Sequence, residues 1–259
     1  MCTMERILNV HKPQGMTPLQ LLDRLRERCP EYKSEKMTYA GRLDPMAEGV
    51  LVVLVGEAVY DKEKYLALDK VYEADIVFGF GTDTYDVLGL PTIQEMGEVS
   101  DGDIGKEMQD MEGEREYPFP IYSSKPVNGR PLFWWAREGR LDEIDIPARM
   151  MRIYGMELLE RYAVPVKTME AAVKNAIEGV WGDFRQDEIM DGWRALFDEL
   201  DRERMFPAVR IRVHCASGTY IRTIAHELGR RLGTDAVLMR LIRIRVGEFD
   251  KTDSMHLDG

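Results

Sequence analysis

With 259 residues, 44% of them hydrophobic, the chain is long enough for one large domain or two small ones and apolar enough to pack a core. Its longest apolar run, Val50–Val55, falls far short of the roughly 20 residues of a membrane helix, Met1–Asn9 holds no secretory segment, and the three cysteines and four histidines are too scattered for a disulfide framework or a metal site; a cytosolic, reduced, metal-free protein is expected. The net charge of −11 argues against nucleic acid at face value, but it is uneven: residues 94–116 hold nine acids against Lys106 and Arg115, and residues 207–247 hold eight arginines against Glu227 and Asp235.

Those arginines either form a local positive field or merely balance acids nearby in space. In chain order, Ile7–Val10 reads as a short strand. Thr17-Pro18-Leu19-Gln20 is a helix start, with Thr17 as N-cap, Pro18 in the first turn and Gln20 closing a capping box. Leu21, Leu22 and Leu25 form its apolar stripe, and Pro30 stops it. Val50–Val55 predicts a buried strand ended by Gly56, and residues 59–68 a helix. Residues 71–80 alternate, with Tyr72, Ala74, Ile76 and Phe78 on one face and Glu73 and Asp75 on the other, as a half-buried strand does. "GTDTYD" (81–86) is a turn.

Residues 94–116 read as an acidic excursion, one loose helix. Residues 132–140 are a helix ended by Gly139, and residues 152–160 a strand. Residues 166–204 hold two acid-rich helical patterns. Residues 208–215 alternate as a strand, residues 221–232 form a helix ended by Gly233, and residues 239–246 a last strand. Strands in several pairings with interspersed helices predict an α/β (α+β) domain.

Three residues stand out. Asp44, in "GRLDP", precedes a proline, so it is either an N-cap with Pro45 in the first turn or a reagent. Arg222 opens a helix, where a cation opposes the dipole, so it calls for a carboxylate partner. Tyr72 opens an apolar strand face, and its plain reading is a core tyrosine.

Together with "KPQGMT" (12–17), "YAGRLDPMAEGVLVVLVGEA" (39–58), "KVY" (70–72), "GTDTYD", "IYSSKPVNGRPLFWWAREG" (121–139) and "SGTYIRTIAHELGRRLG" (217–233), these residues fall in the order and spacing of the TruB-type pseudouridine synthases. The chain resembles that family from about residue 7 to about residue 249. Each string is weak alone; six in register are specific. The resemblance implies a single catalytic domain over 1–259 with a mixed, mostly antiparallel central sheet flanked by helices and loops. It implies an enzyme that detaches a uridine base in RNA, rotates it and rejoins it through carbon, without cofactor or metal.

By the same resemblance Asp44 is the attacking carboxylate, Arg222 its ion-pair partner, and Tyr72 the residue that stacks on the base and helps remove its C5 proton. Leu241 packs the other side of the base, and Lys12 supports the active-site loop. Lys12, Tyr39, Arg42, Tyr220, Leu241 and Arg243 make up the expected substrate-binding set. The target base has to be flipped out of its stack, with the "YAGRLD" loop as the wedge. Tyr39 stands where many bacterial members have histidine, and tyrosine can stack in its place.

The expected partner is RNA, foremost the T-loop uridine at position 55 of tRNA, bound by a monomer without membrane association. The other readings of the same fold are a non-catalytic RNA-binding module and a synthase for other RNA targets. Two departures from the family pattern are expected: no C-terminal RNA-binding module, and an acidic insertion over 161–204, read as a solvated surface excursion lying away from RNA phosphates.

Overall fold

The N-terminal helix signal is realised in full. In this computed structural model, which describes residues 6–94 and 100–257, strand β1 (Ile7–Lys12) leads into α1 (Pro18–Arg28). There the Thr17 hydroxyl accepts from the Gln20 N–H, and the Gln20 side chain accepts from the Thr17 N–H. Two first-turn donors that would otherwise lack partners are thereby satisfied.

β2 (Met37–Ala40) and β3 (Ala47–Val55) flank the turn that carries Asp44. The helix expected over 59–68 is a 3-10 segment followed by the short α2 (Lys62–Leu66). Next come β4 (Lys70–Phe78) and a small hairpin, β5 (Phe80–Thr82) and β6 (Pro91–Ile93). The chain continues through α3 (Asp101–Met111), β7 (Gly113–Pro118), β8 (Pro126–Val127), β9 (Arg130–Pro131) and α4 (Leu132–Arg137). It closes with β10 (Ala148–Pro165), α5 (Val166–Glu178), α6 (Gln186–Asp198), β11 (Met205–Cys215), α7 (Ile221–Arg231), β12 (Ala236–Val246) and β13 (Phe249–Asp250).

The main sheet runs β1-β3-β12-β4-β11-β10-β7, with β2 also on β3 and β13 on β12. Among its described pairings β3 with β12 is parallel and the rest are antiparallel. This is the mixed, mostly antiparallel sheet that the sequence predicts. From Val50 to Val55 β3 is apolar throughout because both its faces are covered. Leu51, Val53 and Val55 join the main core under α1 and α7, while Val50, Val52 and Leu54 pack against Ala58, Tyr65 and Val246.

On β4, Tyr72, Ala74, Ile76 and Phe78 face the main core. The opposite face is not bare. Asp75 holds Arg210 at 2.7 Å and Glu73 holds Arg212 at 2.8 Å across the β4–β11 pairing. These cross-strand ion pairs explain the alternation of acid on one strand with arginine on its neighbour.

They also answer the charge question. Arg210 and Arg212 pair with Asp75, Glu160, Glu73 and Glu157; Arg230, Arg231 and Arg240 pair with Glu227, Glu107 and Glu48. The arginine-rich C-terminal stretch therefore largely balances neighbouring acids.

The acidic stretches differ from expectation. Residues 95–99 lie outside the described residues. Beyond them α3 is a capped helix that buries Ile104, Met108 and Met111 in the main core, and β7 extends the sheet edge along β10. Among the described acids here, Asp103, Asp110, Glu114 and Glu116 are exposed on these packed elements.

Residues 161–165 complete β10, and α5 and α6 are no solvated excursion. Val166, Met169, Val173, Ile177, Ile189, Trp193 and Phe197 build a second core with Val77, Phe80, Phe206 and Val237 of the sheet region. Trp193, 1% exposed, also donates from Nε1 to the Val87 carbonyl at 3.2 Å. Trp193→Ala is therefore expected to cost about 3–5 kcal/mol of unfolding free energy. Denaturant melts check this; a loss below about 1 kcal/mol returns the two helices to a peripheral role.

Candidate active site

The site is built on one turn. Gly41–Met46 connects β2 to β3, and no helix follows Pro45, because the chain enters β3 at Ala47. The N-cap reading of Asp44 is thereby overturned: its carbonyl accepts from the Ala47 N–H at 3.1 Å in a turn, and its carboxylate is left to the cleft.

Arg243 fixes that turn. Its guanidinium, 1% exposed, donates to the carbonyls of Val50, Gly41 and Arg42 at 2.7, 3.2 and 3.2 Å. Gly49 lets β12 approach closely: its φ is +112°, and a Cβ there would lie 2.3 Å from the Arg243 carbonyl oxygen.

Asp44 meets Arg222 as the helix-start argument requires. Arg222 Nε lies 2.8 Å from Asp44 Oδ2, with the arginine side chain 5% and the aspartate 30% exposed. The N–H is not aligned along that contact, so it is an ion pair rather than a linear hydrogen bond. Nη1 donates to the Thr84 carbonyl at 2.9 Å and Nη2 to that of Tyr122 at 3.4 Å.

A second carboxylate, Asp86 Oδ2, stands 3.5 Å from the same Nε. Burial works against the Arg222 charge, but Asp44 and Asp86 outweigh it and hold the guanidinium above its ordinary range. Burial pushes the Asp86 carboxyl up to about 6, with Arg222 opposing and Asp44 adding to the rise.

The cleft above this group has a volume of about 730 Å³, ample for a nucleotide. Asp44, Tyr72, Arg222, Tyr39, Arg42, Tyr220, Leu241 and Arg243 all line it. Tyr72 and Leu241 form buried floor on β4 and β12. Burial holds the Tyr72 phenol above its ordinary pKa, with Arg243 opposing, so it works as a neutral ring and hydroxyl. Tyr220 meets Phe119 edge-on with ring centroids 5.7 Å apart. Tyr39 is half-buried with Lys62 Nζ 5.6 Å from its ring centroid, and Arg42 is exposed and donates to Ser124 Oγ at 2.5 Å.

Lys12 is the exception. It is 0% exposed, does not line the cleft, and donates to the carbonyls of Pro13 and Met16 at 2.9 and 2.6 Å. Burial lowers its pKa to about 7 against the pull of Asp44. It cannot touch a substrate; it holds the 13–16 turn, whose Gly15 N–H donates to the Pro45 carbonyl at 2.8 Å. Its place in the expected substrate-binding set is therefore corrected to support of the loop.

Sequence reasoning missed Asp86, which lay inside the quoted "GTDTYD" and was read only as part of a turn. It also missed Lys70, Tyr122, Arg149 and Arg185, which line the cleft. No spacing rule points to the last three.

Protonation of Asp86 sets a pH dependence. The folded chain keeps this proton up to about pH 6, whereas an unfolded aspartate releases it near about 4. The group's contribution to stability therefore falls as pH rises from about 4 to about 6. Activity runs the other way, because only the ionised form helps hold Arg222. The turnover rate is expected to drop below about pH 6, and Asp86→Asn to remove that limb while lowering the plateau. A limb unchanged in the variant assigns it to another group.

A carboxylate held by a buried arginine in a deep cleft, on a mixed sheet of this order, is the arrangement of an enzyme active site. The family model described as "TruB family pseudouridylate synthase (N terminal domain)" matches residues 30–177. The chain is 31% identical over 255 residues to the tRNA pseudouridine synthase B of Caldicellulosiruptor saccharolyticus, covering 98% of this chain and 72% of that protein. It is 32% identical over 260 residues to the protein of that name from Carboxydothermus hydrogenoformans, covering 98% and 75%.

Among solved structures, a chain of a Cbf5-Nop10-Gar1 complex superposes with a TM-score of 0.61 at 21% identity, over 97% of this chain and 52% of that one. The chain thus spans about half the length of that structural neighbour, which shows a shared fold. It belongs to the TruB family of pseudouridylate synthases.

Proposed function

We propose that this protein isomerises uridine to pseudouridine in tRNA, at the T-loop uridine of position 55, as a cytosolic monomer. The observation that carries the reading is Asp44 at the floor of the cleft, 2.8 Å from buried Arg222 and beside Tyr72 and Leu241. In this reading the flipped uridine enters between the Tyr72 ring and Leu241, and the "YAGRLD" turn fills the gap it leaves. Asp44 adds to the nucleotide as the N1–C1′ bond breaks; the detached base rotates and rejoins C1′ through C5, which expels Asp44 as the free carboxylate, and the C5 proton leaves by way of the Tyr72 hydroxyl while N1 takes one up. Arg222 pairs with the Asp44 carboxylate and aims it.

RNA phosphates meet the cations at the rim, Arg42, Lys125 and Arg149, rather than the paired arginines of β11 and β12. The test is incubation of the purified protein with unmodified tRNA, followed by mapping of pseudouridine. Product at position 55 is expected. Product confined to other RNAs moves the substrate, and no product on any RNA leaves a binding module.

A further inference from the structure

The turn between α5 and α6 reaches the site from two sides. On one, the Trp181 N–H donates to the Gly15 carbonyl at 3.0 Å, and Gly15 in turn donates to Pro45, next to Asp44. The fit is close: Gly15 has a φ of +87°, and a Cβ on it would lie 2.0 Å from the Gly179 carbonyl oxygen.

On the other side stands Arg185, the N-cap of α6, with left-handed backbone at φ +62°. A non-glycine residue held there carries a cost of order 1 kcal/mol or more, and its side chain shows what holds it. Arg185 Nη1 lies 2.9 Å from Asp83 Oδ2, in a pair only 14% and 25% exposed. Its guanidinium carbon sits 4.1 Å from the centroid of the Tyr122 ring.

Both partners are one step from the groups that hold Arg222. Asp83 precedes Thr84, whose carbonyl accepts from Arg222 Nη1, and the Tyr122 carbonyl accepts from Nη2. Asp83 Oδ1 also accepts from the Leu90 N–H at 2.8 Å, closing the same loop. One guanidinium thus ties the 83–90 loop to the loop bearing Tyr122, and Arg222 bridges those two loops from beneath.

We propose that Arg185 is a positioning residue: it clamps the two loops whose carbonyls seat Arg222, so that the α5–α6 segment is part of the catalytic apparatus. A planar guanidinium suits the task, because it can pair with a carboxylate and lie on a ring at once. The inference rests on the proposed function only for its kinetic readout.

The test compares Arg185→Met, Arg185→Lys, Asp83→Asn and Arg185→Met/Asp83→Asn with wild type on unmodified tRNA. Arg185→Met is expected to lower kcat about tenfold with KM for RNA within about threefold. Arg185→Lys should recover part of the loss, and the double variant should be no worse than the poorer single one by more than about twofold. Lys167→Met, which breaks an exposed pair with Glu203 on the outer side of α5, should leave kcat unchanged and controls for general loosening. A raised KM with unchanged kcat makes Arg185 an RNA contact and overturns the proposal, as does additive loss in the double variant.

A wild-type protein that makes no pseudouridine refutes the proposed function alone. The Nε–H resonance of Arg222, assigned by its loss in Arg222→Lys, then decides the clamp. It should shift or broaden in Arg185→Met and stay put in Lys167→Met; an unmoved resonance refutes the clamp.

Discussion

Asp44→Asn is expected to form no measurable pseudouridine while remaining folded. An amide has nearly the shape of the carboxylate and can keep the turn, since the turn is held by backbone groups: Ala47 donates to the Asp44 carbonyl, and Arg243 clasps the carbonyls of Gly41 and Arg42. What the amide lacks is the charge and the lone-pair reactivity of a nucleophile. Removing an attacking group of this kind typically costs about 10⁴-fold or more in rate. The stability change should be small, about 1–2 kcal/mol, because Arg222 keeps Asp86 and two carbonyl acceptors.

Asp44→Glu separates charge from placement. It retains the anion but carries it one methylene further, past the seat that Arg222 provides, so it should also lose most of the rate. Single-turnover assays on unmodified tRNA, with circular dichroism melts alongside, check both variants. Product from Asp44→Asn at a rate near wild type removes Asp44 from the chemistry altogether.

How far the sequence reached depended on whether the deciding interaction was local. The Thr17–Gln20 capping box and the Val50–Val55 strand are local, and periodicity with turn chemistry suffices for both. The pairing of Asp44 with Arg222 is 178 positions apart, yet it was legible, because an arginine at a helix start needs a reason and the family's strings supplied the partner. Asp86 also faces Arg222, at 3.5 Å, but passed as a turn residue, since turns favour aspartate for their own reasons.

The acidic stretches misled for another reason. Net charge reports what a helix shows to water and hides what it turns inward. Trp193, Phe197 and Ile189 recur at helical spacing among the acids of α6, so the amphipathic stripe was present, and its burial against Phe80 and Phe206 was a tertiary fact. The arginine-rich stretch left two readings open in the sequence, because the acids that pair with Arg210, Arg212 and Arg240 lie on neighbouring strands, and a count along the chain cannot see across a sheet. Arg185 carried no signal at all, because neither its left-handed backbone nor the ring beneath it is written in adjacent residues.

Arg222→Met should damage both stability and rate, and the two losses should separate. With the guanidinium gone, Asp44 and buried Asp86 share a site without a counter-ion, and the Thr84 and Tyr122 carbonyls lose their donors. Breaking one partner out of a buried ionic group costs about 3–5 kcal/mol, and Asp86, already raised by burial, takes up a proton to limit it. Unfolding free energy should fall by that order near neutral pH and recover part of the loss in acid, where Asp86 is protonated. Rate should fall about 10²–10³-fold, the scale of losing a preorganised electrostatic partner. Adding Asp86→Asn to Arg222→Met removes one stranded charge, so stability should partly return. Rate should not, because Asp44 still has no cation to aim it at the nucleotide. Denaturant melts at two pH values with single-turnover rates on each variant make the comparison. Rate restored together with stability would mean that Arg222 serves the fold alone.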